Sequence, residues 1–199
     1  MIKVLKPFVF LLCLVPVFLL VRGASIENGL GANPIETITH TTGDWILRFL
    51  LITLTITPLR ALTGWNWLIR FRRMTGLFAF FYSILHFAIY WVSKFALSWK
   101  EMGADIATHL YVTVGFLGFV FMIPLAITST RKWIGRLGGK RWQLLHRLIY
   151  LSAICGVLHY LWQVKLDITY PVRYGMVLAV LLLFRVWTAV RPRLQPKGG

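Results

Sequence analysis

Acidic residues are scarce in this chain. Among 199 residues there are six Asp and Glu against 22 Lys and Arg, a formal charge of +16. All six acids (Glu27, Glu36, Asp44, Glu101, Asp105 and Asp167) read as lying outside the long apolar runs. Those runs therefore lack the intramembrane carboxylates and paired broken segments frequent in proton-coupled transporters. Cysteine is scarce too: Cys13 and Cys155 lie far apart inside apolar stretches, with no CxxC. That excludes a thioredoxin-like pair, a zinc knuckle and attachment of a prosthetic group through CxxCH. There is no dinucleotide fingerprint, internal repeat or low-complexity tract. The stretch GRLGGKR at 135–141 lacks the spacing and the Ser/Thr of a P-loop and reads as a basic turn that enforces topology.

Apolar residues are abundant: 58% of the chain, with mean hydropathy +0.71. A soluble domain of this size needs far more polar surface, so the sequence predicts an integral membrane protein. In a soluble protein the basic excess would point to nucleic acid. Here it is read by position, because cationic loops set membrane topology. Apolar segments at about 5–21, 45–62, 75–93, 106–127, 143–163 and 172–190 approach the ~20 residues of a spanning helix. The expected fold is an all-α, six-helix transmembrane bundle forming one domain over 1–199. The first segment has the charged start and short apolar centre of a signal peptide. Arg22 stands where a cleavage site wants a small residue, so a retained helix is expected. Arg185 interrupts the sixth segment near enough to its end to snorkel.

With both termini in the cytoplasm, the inner side receives Lys3, Lys6, Arg60, Arg70, Arg72, Arg73, Arg131, Lys132, Arg136, Lys140, Arg141, Arg191, Arg193 and Lys197. The outer side keeps Arg22, Lys94, Lys100, Lys165 and Arg173 together with all six acids. This asymmetry sets the expected orientation. Loop 22–44, the longest, then lies on the outer surface and the 129–141 loop on the inner.

Each histidine now acquires a depth. His86 precedes Lys94 by eight residues, about 12 Å along a helix, and His159 precedes Lys165 by six, about 9 Å. Two helices thus carry one imidazole each to nearly the same level. A six-coordinate haem bridging two helices needs that arrangement, two neutral nitrogen donors on opposite faces of a porphyrin. Closed structural zinc would need four ligands, and no carboxylate or thiolate lies near this pair in the membrane segments. His146 sits in the inner leaflet, about 20 Å from His159 along the axis and roughly 140° around a straight helix. It reads equally as a ligand of a second redox centre or as an interfacial residue, and the third helix offers only Arg72 and Arg73 at its level. His109 and His40 read as interfacial and surface residues.

Three stretches carry a resemblance: TPLRALTG, RFRRMTGLFAFFYSILHFAIYW and ITSTRKWIGRLGGKRWQLLHRLIYLSAICGVLHYLW. Over essentially its whole length the chain resembles the MsrQ/YedZ family, haem-binding membrane subunits of bacterial periplasmic methionine sulfoxide reductase systems. More distantly it is similar to the transmembrane domain of ferric reductases and NADPH oxidases. The resemblance implies a ferric reductase-like cytochrome of the bacterial inner membrane. It would bind haem b and FMN and take electrons from the quinone pool or a cytosolic flavin reductase. It would pass them to a periplasmic molybdopterin-containing catalytic subunit that reduces methionine sulfoxide in damaged proteins. Catalysis is then expected on the partner, with this chain serving electron transfer. The family's haem-associated histidines fall on His86, His146 and His159. Oxidases of the wider superfamily carry two histidines on the third helix, where this chain has one. FMN has no motif of its own here; the Arg/Lys-rich inner surface is where its phosphate would bind. The alternatives are a stand-alone ferric or quinone reductase, a proton-coupled transporter with a histidine relay, and a plain membrane anchor.

Overall fold

The structure, a computed structural model, describes residues 2–164 and 166–194. Lys165 and Lys197 lie outside the described residues, as do the side chains of Lys3, Arg191 and Arg193. The helices run α1 (Ile2–Ala24), α2 (Pro34–Thr63), a 3-10 turn (Asn66–Leu68), α3 (Ile69–Phe95), α4 (Trp99–Thr108), α5 (Leu110–Ile127), α6 (Arg131–Leu137), α7 (Gly139–Leu145), α8 (Leu148–Gln163) and α9 (Thr169–Leu194). Six stretches among them are long and apolar enough to cross a membrane, and the chain is a multi-pass membrane protein.

Two antiparallel hairpins form the centre. In the first, α2 lies along α3, with the Thr53 hydroxyl donating to Thr75 Oγ1 at 2.8 Å in a buried interhelical bond. In the second, α5 lies along α8, and Ser152 Oγ donates to Gly118 O at 2.5 Å. Helices in lipid gain little from burying apolar surface against each other, so such polar ties and close packing hold them together. The shared core is Phe49, Leu50 and Leu54 of α2, Phe78, Ala79 and Tyr82 of α3, Met122 and Leu125 of α5, and Ile149 and Ala153 of α8. Helices α1 and α9 pack on its flanks through Cys13 and through Leu178 and Leu181.

Two prolines open membrane helices, and a side chain from another helix answers each gap. Pro16 lies inside α1, and one residue on, the Val17 N–H donates to the Tyr82 hydroxyl at 3.2 Å. That hydroxyl donates in turn to Cys13 O at 2.9 Å. A helix would pair Val17 with Cys13 directly, so Tyr82, 0% exposed, is spliced into the ladder of α1. Pro58 of α2 has no N–H for the carbonyl four residues back, Leu54 O, and Arg185 Nη2 takes that carbonyl at 2.6 Å. Arg185 therefore does not snorkel as expected. Its donors go to Leu54 O and Leu181 O, and its guanidinium lies 5.2 Å from the Tyr150 ring centroid, because the bundle offers an acceptor that lipid does not.

Other boundaries depart from the hydropathy reading. The supposed loop 22–44 is helical from Pro34. Asn33 caps that end, accepting from Glu36 N and donating to Glu36 Oε2, and Pro34 suits a first helical turn. The fourth segment is two helices, α4 and α5, parted by extended backbone at His109 (φ −109°, ψ 104°). The 129–141 stretch carries two short helices, α6 and α7. The fifth segment is broken at His146 and Arg147, where the ladder tightens to i−3 bonds from Arg147 and Tyr150. The straight-helix angle between His146 and His159 consequently does not apply.

Candidate cofactor site

His86 of α3 and His159 of α8 meet between the two hairpins. Their ring centroids are 6.2 Å apart and their planes 85° to each other. Both line a cavity of about 270 Å³.

Each ring is held by the partner helix of its own hairpin. His86 Nδ1 lies 3.1 Å from Thr39 O on α2, and His159 Nδ1 lies 2.7 Å from Tyr111 O on α5. A carbonyl only accepts, so both Nδ1 atoms carry the proton and both Nε2 atoms keep a lone pair. The buried Thr42 hydroxyl donates to Ile38 O and accepts a share of the His86 Nδ1–H at 3.2 Å. Among the described residues neither Nε2 has a hydrogen-bond partner. Metal-bound histidines are characteristically held this way, one nitrogen anchored to a carbonyl and the other free.

A glycine makes each anchor reachable. Gly43 stands four residues after Thr39, and Gly115 four after Tyr111. A Cβ at Gly115 would lie 2.6 Å from His159 Nδ1, and one at Gly43 would lie 3.3 Å from His86 Cε1. The imidazoles thus rest on bare helix backbone, where a side chain at Gly115 would displace the His159 ring and one at Gly43 would crowd the His86 ring.

This arrangement fits a haem iron. An imidazole nitrogen meets a first-row metal at about 2 Å and lies about 1.2 Å from its ring centroid, so imidazoles on opposite sides of one ion have centroids roughly 6.3 Å apart. The observed 6.2 Å agrees. Among the described residues no three His, Cys, Asp or Glu side chains are grouped to hold an ion. A metal here would have to bring its remaining ligands, as a porphyrin does. Aromatic rings supply the apolar wall: Phe87 and Phe119 stack at 5.1 Å, with Phe116 beside them.

The opposite rim is polar. Lys94 Nζ donates to Asp105 Oδ1 at 2.8 Å, and Tyr90 donates to Asp105 Oδ2 at 2.6 Å. His109 Nδ1, at the α4–α5 junction, lies 3.1 Å from Asp105 Oδ1. Burial works to raise the pKa of Asp105, but the hydrogen bonds from Lys94 and Tyr90 and the charges of Lys94 and His109 outweigh it. Its carboxyl is held below its ordinary range. His40, expected in a loop, is exposed on α2 and reaches the same rim, with Nε2 3.7 Å from Glu36 Oε1.

His146 is not brought to the other two. It occupies the turn between α7 and α8, its ring stacked on Trp142 at 3.9 Å. The Thr128 hydroxyl donates to Pro124 O and so accepts from His146 Nε2 at 3.1 Å, while the Trp142 indole donates to Thr128 O. Its proton therefore sits on Nε2, the reverse of His86 and His159. Arg72 of α3 is near enough to act on it electrostatically.

Thr39, Thr42, Gly43, Tyr111, Gly115, Lys94 and Asp105 were not expected at the site from sequence. The signal was present in THTTG and YVTVG, where a glycine falls on a membrane helix at the depth of a histidine across the hairpin.

Residues 42–157 match the family described as ferric reductase like transmembrane component, a span that includes His86 and His146 and stops just short of His159. Relatives named protein-methionine-sulfoxide reductase heme-binding subunit MsrQ match nearly the whole chain. The Herminiimonas arsenicoxydans protein is 52% identical over 192 residues, 95% of this chain and 87% of the relative. The Ralstonia nicotianae protein is 50% identical, covering 94% and 87%, and the Rhodospirillum rubrum protein 48% identical, covering 93% and 88%. No solved structure matches.

Proposed function

Since the chain belongs to the MsrQ family of haem-binding subunits within the ferric reductase-like transmembrane components, we propose that it carries electrons across the bacterial inner membrane to a periplasmic methionine sulfoxide reductase. The observation that carries this reading is the pairing of the His86 and His159 rings, 6.2 Å apart between centroids, each fixed through Nδ1 by a carbonyl from a neighbouring helix. The pair would hold haem b, which supplies an iron that takes up and releases one electron at a time. The chain's own contribution is orientation. Anchored Nδ1–H groups fix the tautomer and aim of both imidazoles, and the Phe87, Phe116 and Phe119 wall would exclude water from the ring faces.

The whole chain acts as one transmembrane unit whose partner, a molybdopterin-containing subunit, performs catalysis. Basic residues on α6, α7 and the start of α3 support a cytoplasmic face there, and Glu101, Asp105 and Asp167 support a periplasmic face opposite. Electrons enter on the basic side from quinone or a cytosolic flavin reductase. Support for FMN is family resemblance, with the 131–141 basic segment as the place for its phosphate and His146 as an entry-side residue.

The test is the visible spectrum of detergent-purified protein, oxidised and reduced. A low-spin bis-histidine haem b signal with about one haem or more per chain is expected; colourless protein from haem-replete cells would sink the cytochrome reading. A stand-alone reductase would have the same spectrum but would need no partner to turn over.

A further inference from the structure

The cavity between the hairpins has one apolar end and one charged end. Along α5 it runs past Gly115 to Phe119 and Met122, while Tyr90 and Lys94 on α3 and Gln163 on α8 line the other end. Helix register fixes this polarity: Tyr90 and Gln163 each follow their cofactor-facing histidine by four residues, about 6 Å. Among the described residues, rim cations are few. Arg48 is turned away to Asp44 and Tyr174, and His40 to Glu36. Lys94 stands at the mouth itself.

Lys94 is held there. Its ammonium donates to Asp105 Oδ1 at 2.8 Å and lies 5.2 Å and 5.8 Å from the ring centroids of Phe95 and Tyr90. Tyr90 fixes the other carboxylate oxygen. The Asp105 side chain is only 9% exposed, whereas that of Lys94 is 46% exposed. A lysine at a membrane boundary ordinarily extends its ammonium into the headgroup layer. This one is tethered at the cavity rim instead, with one of its three donors spent on Asp105 and two left for another acceptor.

We propose that Lys94 is the anchor for a carboxylate on the edge of the bound cofactor, a haem propionate on the reading above, and that Asp105 and Tyr90 are its positioning residues. The inference rests on the haem reading but concerns a different part of the site. A carboxylate cannot be accommodated unpaired among Phe116, Phe119 and Met122, so the ring must enter with its acidic edge at the Lys94 rim. Lys94 would then give the planar group a fixed direction that His86 and His159 alone do not impose.

The experiment compares haem b with its dimethyl ester, in which both carboxylates are capped. Full-length protein from haem-deficient cells is titrated with each in detergent, following the bis-histidine absorption. Wild type and Lys94→Arg are expected to bind haem b about tenfold or more tighter than the ester, the worth of a hydrogen bond to a charged group. In Lys94→Met the two should bind alike with an unchanged bis-histidine spectrum, and Asp105→Asn should fall between. Equal binding of the two by wild type, which needs no variant to fold, overturns the proposal, as does a wild-type preference in Lys94→Met. Were the Lys94–Asp105 pair merely a strut between α3 and α4, both substitutions would loosen α4 and neither would alter the preference. Failure of wild type to give a bis-histidine spectrum with either compound would overturn the haem reading and this inference together.

Discussion

His86 and His159 come from different hairpins, yet each sends its Nδ1 proton to a backbone carbonyl four residues ahead of a glycine. Neither ring can rotate without losing that bond, so both Nε2 atoms are directed by helix backbone. If the pair holds haem as proposed, replacing either histidine leaves the iron one protein ligand. His86→Ala and His159→Ala should each lose the low-spin bis-histidine spectrum. Two single variants with full haem content and wild-type spectra would show that the ligands lie elsewhere.

The glycines should behave unequally. A Cβ at Gly115 falls 2.6 Å from His159 Nδ1, closer than any relaxed contact, while one at Gly43 falls 3.3 Å from His86 Cε1. Gly115→Ala should weaken haem binding about 10–100-fold, the usual cost of disturbing a ligand's outer hydrogen bond, and Gly43→Ala by less. Haem titration of both variants gives the order. A harmless Gly115→Ala beside a damaging Gly43→Ala would contradict the geometry.

His146→Ala should leave the outer haem spectrum recognisable and slow haem reduction by a donor from the cytoplasmic side. The basis is its separate surroundings: Trp142, Thr128 and a turn rather than a cavity. Haem stoichiometry and reduction rate together decide it. Complete haem loss would make His146 a ligand of the main haem, and normal values of both would make it structural.

Orientation is open to a labelling reagent confined to the outside. A cysteine replacing Ser98, the cap of α4, should be modified in intact cells, and one replacing Ser129, beyond α5, should be spared. The opposite pattern would reverse the electron path.

Asp105 gives a pH dependence. Its folded pKa lies below its unfolded value, so its contribution to stability is fully present above the unfolded value of about 3.9 and fades as pH falls through the folded one. The protection of α4 amides, relative to their intrinsic exchange at each pH, should therefore fall below about pH 4, and Asp105→Asn should be poorly protected at neutral pH with that dependence gone. An α4 indifferent to both changes would leave the Lys94–Asp105 pair without energetic weight.

Hydropathy located all six spans because twenty apolar residues in a row have few other uses. The depth of His86 and His159 was legible too, since helical rise converts sequence distance into height. Rotation was not. Whether two imidazoles at one level face each other depends on hairpin packing, which Gly43, Gly115, Thr53 and Ser152 set through contacts that no periodicity in a uniformly apolar helix reports. Polar helices were missed for the opposite reason. The first turns of α2 and all of α4 carry Thr, Glu, Lys and Asp, so a hydropathy window reads them as loop although Asn33 and Ser98 cap them as helices.

The splice between Tyr82 and α1 has a consequence in time. The chain emerges from the ribosome N-terminus first, and Tyr82 follows Val17 by 65 residues. At about 5–20 residues per second, roughly 3–13 s pass between the synthesis of the two. Throughout that interval the Val17 N–H and the Cys13 carbonyl, beside a proline in an apolar helix, lack the hydroxyl that joins them in the finished bundle. Unpaired backbone groups are poorly tolerated in hydrocarbon. Until the third helix arrives, α1 has to close that rung on itself or against water, so the hydroxyl that joins Val17 and Cys13 enters only after both helices are made.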